Sequence, residues 1–287
     1  MPDADKGPLY DQVAIIGVGL IGGSIGLGLL NRSMAKSVVG IGRNAERLQR
    51  AVDIGAISKF TTDVGEGVAD ADVVVVCTPV GSIADFVVAA AQAAPTDVLI
   101  TDGGSTKRQI VQDVDQRLGE KNVFVGSHPM AGSEQTGAEF ADADLYVDRD
   151  VILTPTAETK QDLVDRCQEF WATLMADVRI MSPEDHDSVV ASISHSPHVM
   201  AALLSAATPE NHLPFASTGW NDTTRVAAGN VEMWQQIIQQ NKASLQNSLA
   251  RFQGLLERFS TALDTDDVAT IRRLLEEGKS KRDAVAS

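Results

Sequence analysis

The chain has 287 residues, 44% of them hydrophobic, with 24 Lys and Arg against 39 Asp and Glu and a formal charge of −15. That length supports two domains or one large one with a packed core. The acidic balance excludes a nucleic-acid-binding role, which needs clustered positive charge, but a few placed Arg and His can still hold a small anionic substrate.

The first ten residues carry Asp3, Asp5 and Lys6 and lack the apolar core of a signal peptide. No stretch approaches the roughly 20 apolar residues of a membrane span. A soluble cytoplasmic protein is expected. Cys77 lies in an apolar run and Cys167 in a helical pattern, which reads as packing rather than a disulfide.

Short Val- and Ile-rich runs recur along residues 1–181: Val13–Ile16, Val38–Ile41, Val73–Cys77, Val98–Thr101, Val123–Val125, Val151–Leu153 and Val178–Met181. They are apolar throughout, as strands buried on both faces of a mainly parallel sheet should be. Amphipathic or Ala-rich stretches such as Ala45–Asp53 and Ile83–Ala94 lie between them. The alternation predicts an α/β, Rossmann-type doubly wound domain with ligands at the carboxyl ends of its strands.

Gly17-Val18-Gly19-Leu20-Ile21-Gly22 follows the first strand and opens the helical run Gly23–Leu30. That context makes G-x-G-x-x-G a dinucleotide fingerprint. Gly17 allows the tight turn, Gly19 lets a pyrophosphate approach, and Gly22 lets helix and strand pack closely. The N–H groups at the helix start, those of Leu20 and Ile21 among them, offer donors to the anion, and Ser24 adds a hydroxyl. The second strand ends Gly42-Arg43, where a carboxylate would bind a ribose hydroxyl. Arg43 favours NADP through a 2′-phosphate; a merely solvated Arg43 leaves NAD open. Thr78 and Pro79 follow the next strand and complete the crevice. Asp102-Gly103-Gly104-Ser105-Thr106-Lys107 lacks the order of a nucleotide-triphosphate loop. Its glycines let Ser105 approach a ligand, and Ser105 could also cap the following helix.

Gly126-Ser127-His128-Pro129-Met130-Ala131-Gly132 sets one histidine in a small-residue turn after Val123–Val125. Beyond Met181 the pattern becomes helical. Ser182-Pro183-Glu184-Asp185 has a cap, a first-position proline and an acid three residues on. Helices are predicted over about 183–207, 231–263 and 266–284, giving an all-α domain over residues 182–287. His195 and His198 share a helix face, and Pro197 between them should kink the helix. H-x-x-H without a glutamate is a poor zinc motif, and no metal is expected. Leu245, Leu249, Phe252, Leu255, Leu256 and Phe259 form an apolar stripe on the long helix.

Taken together, Gly17–Ser24, Asp102–Lys107, Gly126–Gly132, Ser194-His195-Ser196-Pro197-His198 and Asp222-Thr223-Thr224-Arg225 with Trp234 resemble the prephenate/arogenate dehydrogenase family of tyrosine biosynthesis. The resemblance spans nearly the whole chain. It implies oxidative decarboxylation of a small dicarboxylate, prephenate and/or arogenate, to 4-hydroxyphenylpyruvate and/or tyrosine, with hydride passing from ring C4 to NADP or NAD. It makes His128 the base for the C4 hydroxyl proton, with Ser105 hydrogen-bonded to that histidine or to the hydroxyl. His198 and Arg225 become carboxylate binders, His195 a pocket or structural partner, Asp222 an organiser of Arg or His groups and Trp234 a pocket wall. Glu134 either gates the pocket, meets a substrate amine or is a solvated carboxylate. The helical domain would make a homodimer, part of the stripe serving as the interface. Two other readings compete: a β-hydroxyacid dehydrogenase, whose catalytic lysine Lys242 fits poorly, and a non-catalytic NADPH sensor, which would not need His128, Ser105 and Arg225 together.

Overall fold

The computed structural model describes residues 7–132 and 135–286. Its first half alternates β1 (Tyr10–Ile16), α1 (Leu20–Asn31), β2 (Ala35–Ile41), α2 (Ala45–Asp53), β3 (Lys59–Thr61), α3 (Val64–Val68), β4 (Val73–Val76), α4 (Ile83–Ala93), β5 (Leu99–Asp102), α5 (Arg108–Leu118) and β6 (Phe124–Pro129). β7 (Asp150–Thr154), α6 (Gln161–Ala172) and β8 (Asp177–Ile180) follow. The sheet order is β3-β2-β1-β4-β5-β6-β7-β8. Strands β1 to β6 run parallel, β7 pairs antiparallel with β6, and β8 is parallel to β7.

Both faces of the sheet are covered, which explains the unbroken apolar runs. Val13 and Ile15 of β1, with Val73 and Val75 of β4, join one buried cluster with Ile25, Leu29, Phe170 and Trp171. Ala14 and Ile16, with Val74 and Val76, join a second with Ile83, Val87, Ile110 and Val114. Alternate side chains of one strand thus enter opposite layers. The strand order reverses between β1 and β4, the point where such sheets bind ligands.

Two differences from the sequence reading matter. Strand β3 is only three residues long and carried no apolar run to betray it. His128 lies within a strand rather than a turn, because the antiparallel partner extends the ladder: His128 pairs with Ile152 and Pro129 with Val151.

After β8 come α7 (Pro183–Val190), a π-helical turn over Ala191–His195, α8 (Ser196–Ala207), α9 (Thr218–Thr224) and α10 (Val231–Gln240). Ser182 caps α7, its hydroxyl accepting from Asp185 N. Pro183–Ala207 is a continuous 25-residue helix whose length and apolar composition would suit a membrane span, contrary to the sequence expectation. Its polar residues instead bond to the sheet domain, as described below. Compactness divides the chain at Asn241, into 1–241 and 242–287. The predicted single helix 231–263 is accordingly two, α10 and α11 (Lys242–Asp264). Asn241, with φ −104° and ψ 29°, leaves helical geometry as its side chain turns to buried partners. The second unit consists of α11 and α12 (Val268–Ala286), the latter begun by Asp267, whose carboxylate accepts from Thr270 N. Phe252, Leu255 and Leu256 of the predicted stripe are exposed on α11.

Candidate active site

The glycine turn between β1 and α1 has the geometry of an anion cradle. Gly17 has φ +96°, and a Cβ there would lie 2.7 Å from the Cys77 carbonyl oxygen, so no other residue fits. A Cβ on Gly22 would collide with the Gly17 carbonyl and Ile15. At Gly19 a Cβ would meet nothing within 4 Å. Gly19 precedes the first residue of the 12-residue α1, which has no side-chain cap and no acidic residue in its first turn. The leading N–H groups, including those of Leu20 and Ile21, are left for an external acceptor. Open approach plus uncapped donors suits a dinucleotide pyrophosphate.

The other expected cofactor residues separate. Arg43 is exposed between β2 and α2, whose first turn is capped by Asn44 Oδ1 accepting from Arg47 N at 3.0 Å. Thr78 and Pro79 follow β4, where Ser82 donates to Thr78 Oγ1 at 3.1 Å. Ser24 does not reach the cradle. It is fully buried and its hydroxyl accepts from Asp142 N at 2.9 Å, so it ties α1 to the 138–142 segment.

At the carboxyl end of β6, half-buried His128 opens a chain of polar groups whose next members, His186 and Asp187, are buried. His128 Nδ1 lies 2.8 Å from His186 Nε2, and His186 Nδ1 lies 2.8 Å from Asp187 Oδ1. The Asp187 carboxylate accepts from Lys107 N at 2.8 Å and Arg108 N at 3.1 Å. It therefore caps α5, the task open to Ser105. Ser105 is half-buried and, among the described residues, bonds neither His128 nor another group. Burial holds the His128 pKa well below 6.5, aided by His186, Lys107 and His195. Burial also lowers that of His186, against the pull of Asp187. A neutral imidazole is the basic form.

Under this chain lies a buried ion pair. Lys107 Nζ bonds Asp102 Oδ2 and donates to Ser127 O at 2.8 Å, and both side chains are fully buried. Asp102 also accepts from Gly104 N and Ser127 N, each at 2.9 Å. Four groups from β5, β6 and the loop between β5 and α5 thus share one charge network, which fixes the Ser127 backbone just before His128.

The second histidine pair sits on the π turn and α8. In a regular helix the Pro197 ring would strike the Ile193 carbonyl. The wider turn relieves this, with Ser196 N donating to Ala191 O, so the expected kink takes the form of a π turn. His195 Nδ1 accepts from Asn241 Nδ2 at 3.1 Å, and the same amide donates to Asp187 O at 2.7 Å. Burial pushes the His195 pKa down to about 4, with Asp187 opposing. His198 stacks on Trp234, ring centroids 3.5 Å apart and planes at 10°. His195 meets the same indole edge-on at 6.0 Å. His198 Nδ1 is buried without a hydrogen-bond partner among the described residues. Arg225 begins the short helix after α9 and is exposed. Asp222 is exposed on α9 and, among the described residues, bonds neither Arg225 nor a histidine, against expectation. Glu134 lies outside the described residues. No group of three or more His, Cys, Asp or Glu is arranged for a metal among the described residues.

Comparison with known proteins covers both halves. The profile for prephenate dehydrogenase, nucleotide-binding domain, matches residues 25–180, and that for prephenate dehydrogenase, dimerization domain, matches residues 182–277. The chain belongs to the prephenate dehydrogenase family. The prephenate dehydrogenase of Bacillus subtilis is 33% identical over 96% of this chain and 76% of its own length. A cyclohexadienyl dehydrogenase of Zymomonas mobilis is 32% identical over 90% of each chain. The crystal structure of Aquifex aeolicus prephenate dehydrogenase, in complex with hydroxyphenyl propionate and NAD+, superimposes with a TM-score of 0.89 at 31% identity, over 96% of this chain and 98% of that one.

For a member of this family the residues missed from sequence are the most telling. His186, Asp187 and Asn241 build the site beside His128 and His195. The available signal was His186-Asp187 itself, an adjacent imidazole and carboxylate one turn into a capped helix, and the structure buries both.

Proposed function

We propose that the protein catalyses NAD(P)-dependent oxidative decarboxylation of prephenate or arogenate. The carrying observation is His128: a half-buried imidazole held neutral at a strand end of the nucleotide-binding domain, its Nδ1 engaged by His186. Nε2 is then the nitrogen for the substrate's C4 hydroxyl proton. Removing that proton turns the centre that loses hydride into a carbonyl, and aromatisation drives loss of the carboxylate. The bound nicotinamide supplies the oxidant. Leu20 and Ile21 N–H groups would hold its pyrophosphate, with Thr78 and Pro79 lining the crevice. His198, flat on Trp234 with one nitrogen unsatisfied, and Arg225 would hold carboxylates of the substrate. Arg225 brings a planar fork that matches a carboxylate.

The finer reading is a lean to NADP, because Arg43 is exposed and Gly42 stands where an acid would bind ribose, and a lean to prephenate or dual use. Purified protein assayed with prephenate and arogenate, each with NAD and NADP, tests both. Turnover with NADP should exceed that with NAD, and Arg43→Ala should erase the difference. No turnover in any pairing sinks the activity; a strong NAD preference sinks the role of Arg43.

Arg225→Ala should raise KM about 10- to 100-fold, the worth of a charged hydrogen bond of ~1.5–3 kcal/mol, with kcat within a few-fold. A fall in kcat at unchanged KM would count against carboxylate binding. We also infer a homodimer through the helical region, supported by the exposed Phe252, Leu255 and Leu256 and the match to a dimerization domain.

A further inference from the structure

The hydrogen bonds behind His128 run in one direction. Asp187 is fixed at the start of α5, where two backbone N–H groups and the helix dipole favour a carboxylate. A carboxylate only accepts, so His186 Nδ1 must donate to Asp187 Oδ1. A neutral imidazole has a single N–H, so His186 Nε2 accepts. Its partner 2.8 Å away, His128 Nδ1, must then be a donor. His128 thereby carries its proton on Nδ1 and its lone pair on Nε2.

We propose that His186 and Asp187 are positioning residues that lock His128 in the Nδ1–H tautomer and so present Nε2 as the base. They act through His128 and need not touch the substrate. When Nε2 takes up a proton, the new charge is met through His186 by a carboxylate already fixed by α5. Asn241 bonds the Asp187 carbonyl and His195 together, so the dyad's helix is fixed at a second point. The inference rests on the reading of His128 as base.

The first test needs no substrate. In full-length protein with 15N-labelled histidine, NMR at about pH 8 should find His128 protonated on Nδ1; an Nε2–H form overturns the proposal. The second compares two variants. His186→Gln keeps an acceptor for His128 and a donor for Asp187, and should retain kcat within about tenfold. His186→Leu keeps neither, and should lose about 100-fold or more in kcat with KM within about threefold. Glutamine no better than leucine, or a leucine variant within about threefold of wild type, overturns the proposal. Asp187→Ala removes the acceptor of His186 Nδ1 and should lower kcat about 100-fold or more with KM within about threefold. Should loss of the α5 cap unfold that variant, the histidine pair and the wild-type spectrum still decide. An Nδ1–H spectrum in a protein inactive on both substrates would sink the activity and leave the tautomer lock standing.

Discussion

His128→Asn should lower kcat by roughly two to four orders of magnitude, the usual worth of a general base, with KM changed only a few-fold. Asparagine can hydrogen-bond the substrate hydroxyl but cannot take its proton, so binding survives and the chemical step does not. The pH profile gives an independent readout. The His128 pKa is depressed from 6.5, first by burial and then by His186. A depressed value keeps the neutral base available to lower pH, and activity is lost as pH falls through that value. The wild-type acid limb in kcat/KM should therefore lie below pH 6.5, and the Asn variant should lack it. Steady-state kinetics from about pH 4 to 9 would show both. Near-normal turnover in the variant would remove His128 from the chemistry.

Lys107→Met should destabilise the fold by about 3–5 kcal/mol, the cost of leaving half of a buried ion pair. Asp102 would keep only the N–H groups of Gly104 and Ser127 against its charge. Total stabilities of about 5–15 kcal/mol make this a large fraction. Denaturant unfolding would measure it. Asp102→Asn added to Lys107→Met should recover part of the loss, since the stranded charge is gone. A single variant within about 1 kcal/mol of wild type would mean that the pair contributes little. Catalysis should suffer with stability, because the same pair fixes the backbone around Ser127 and so the base beside it.

Unbroken apolar runs and glycine spacing made the sheet domain readable, because a strand buried on both faces leaves such a word in the sequence. Gly17, Gly19 and Gly22 each occupy the steric situation that their spacing implied. β3 was illegible because three half-exposed residues leave no such word. The candidate site was open to proposal from sequence where one residue's own chemistry suggests a role, as at His128, His198 and Trp234. It was illegible where meaning comes from a partner far along the chain. Asp187 lies 80 positions from Lys107, and Asn241 lies 54 from Asp187. Ser105 failed in the same way: its local pattern suits a cap, but a distant carboxylate fills that place.

The π turn over Ala191–His195 also sets a phase. At about 100° per residue, positions nine apart on an ideal α-helix point to opposite sides. His186 and His195 are such a pair. A π turn holds one residue more than an α turn and takes back about 100° of that rotation, swinging His195 toward the side that His186 already occupies. Proline 197 forbids the regular ladder just where the extra residue is needed. With the same residues wound as a regular α-helix, His186 and His195 would face opposite sides, and only one of them could meet the groups around Asp187.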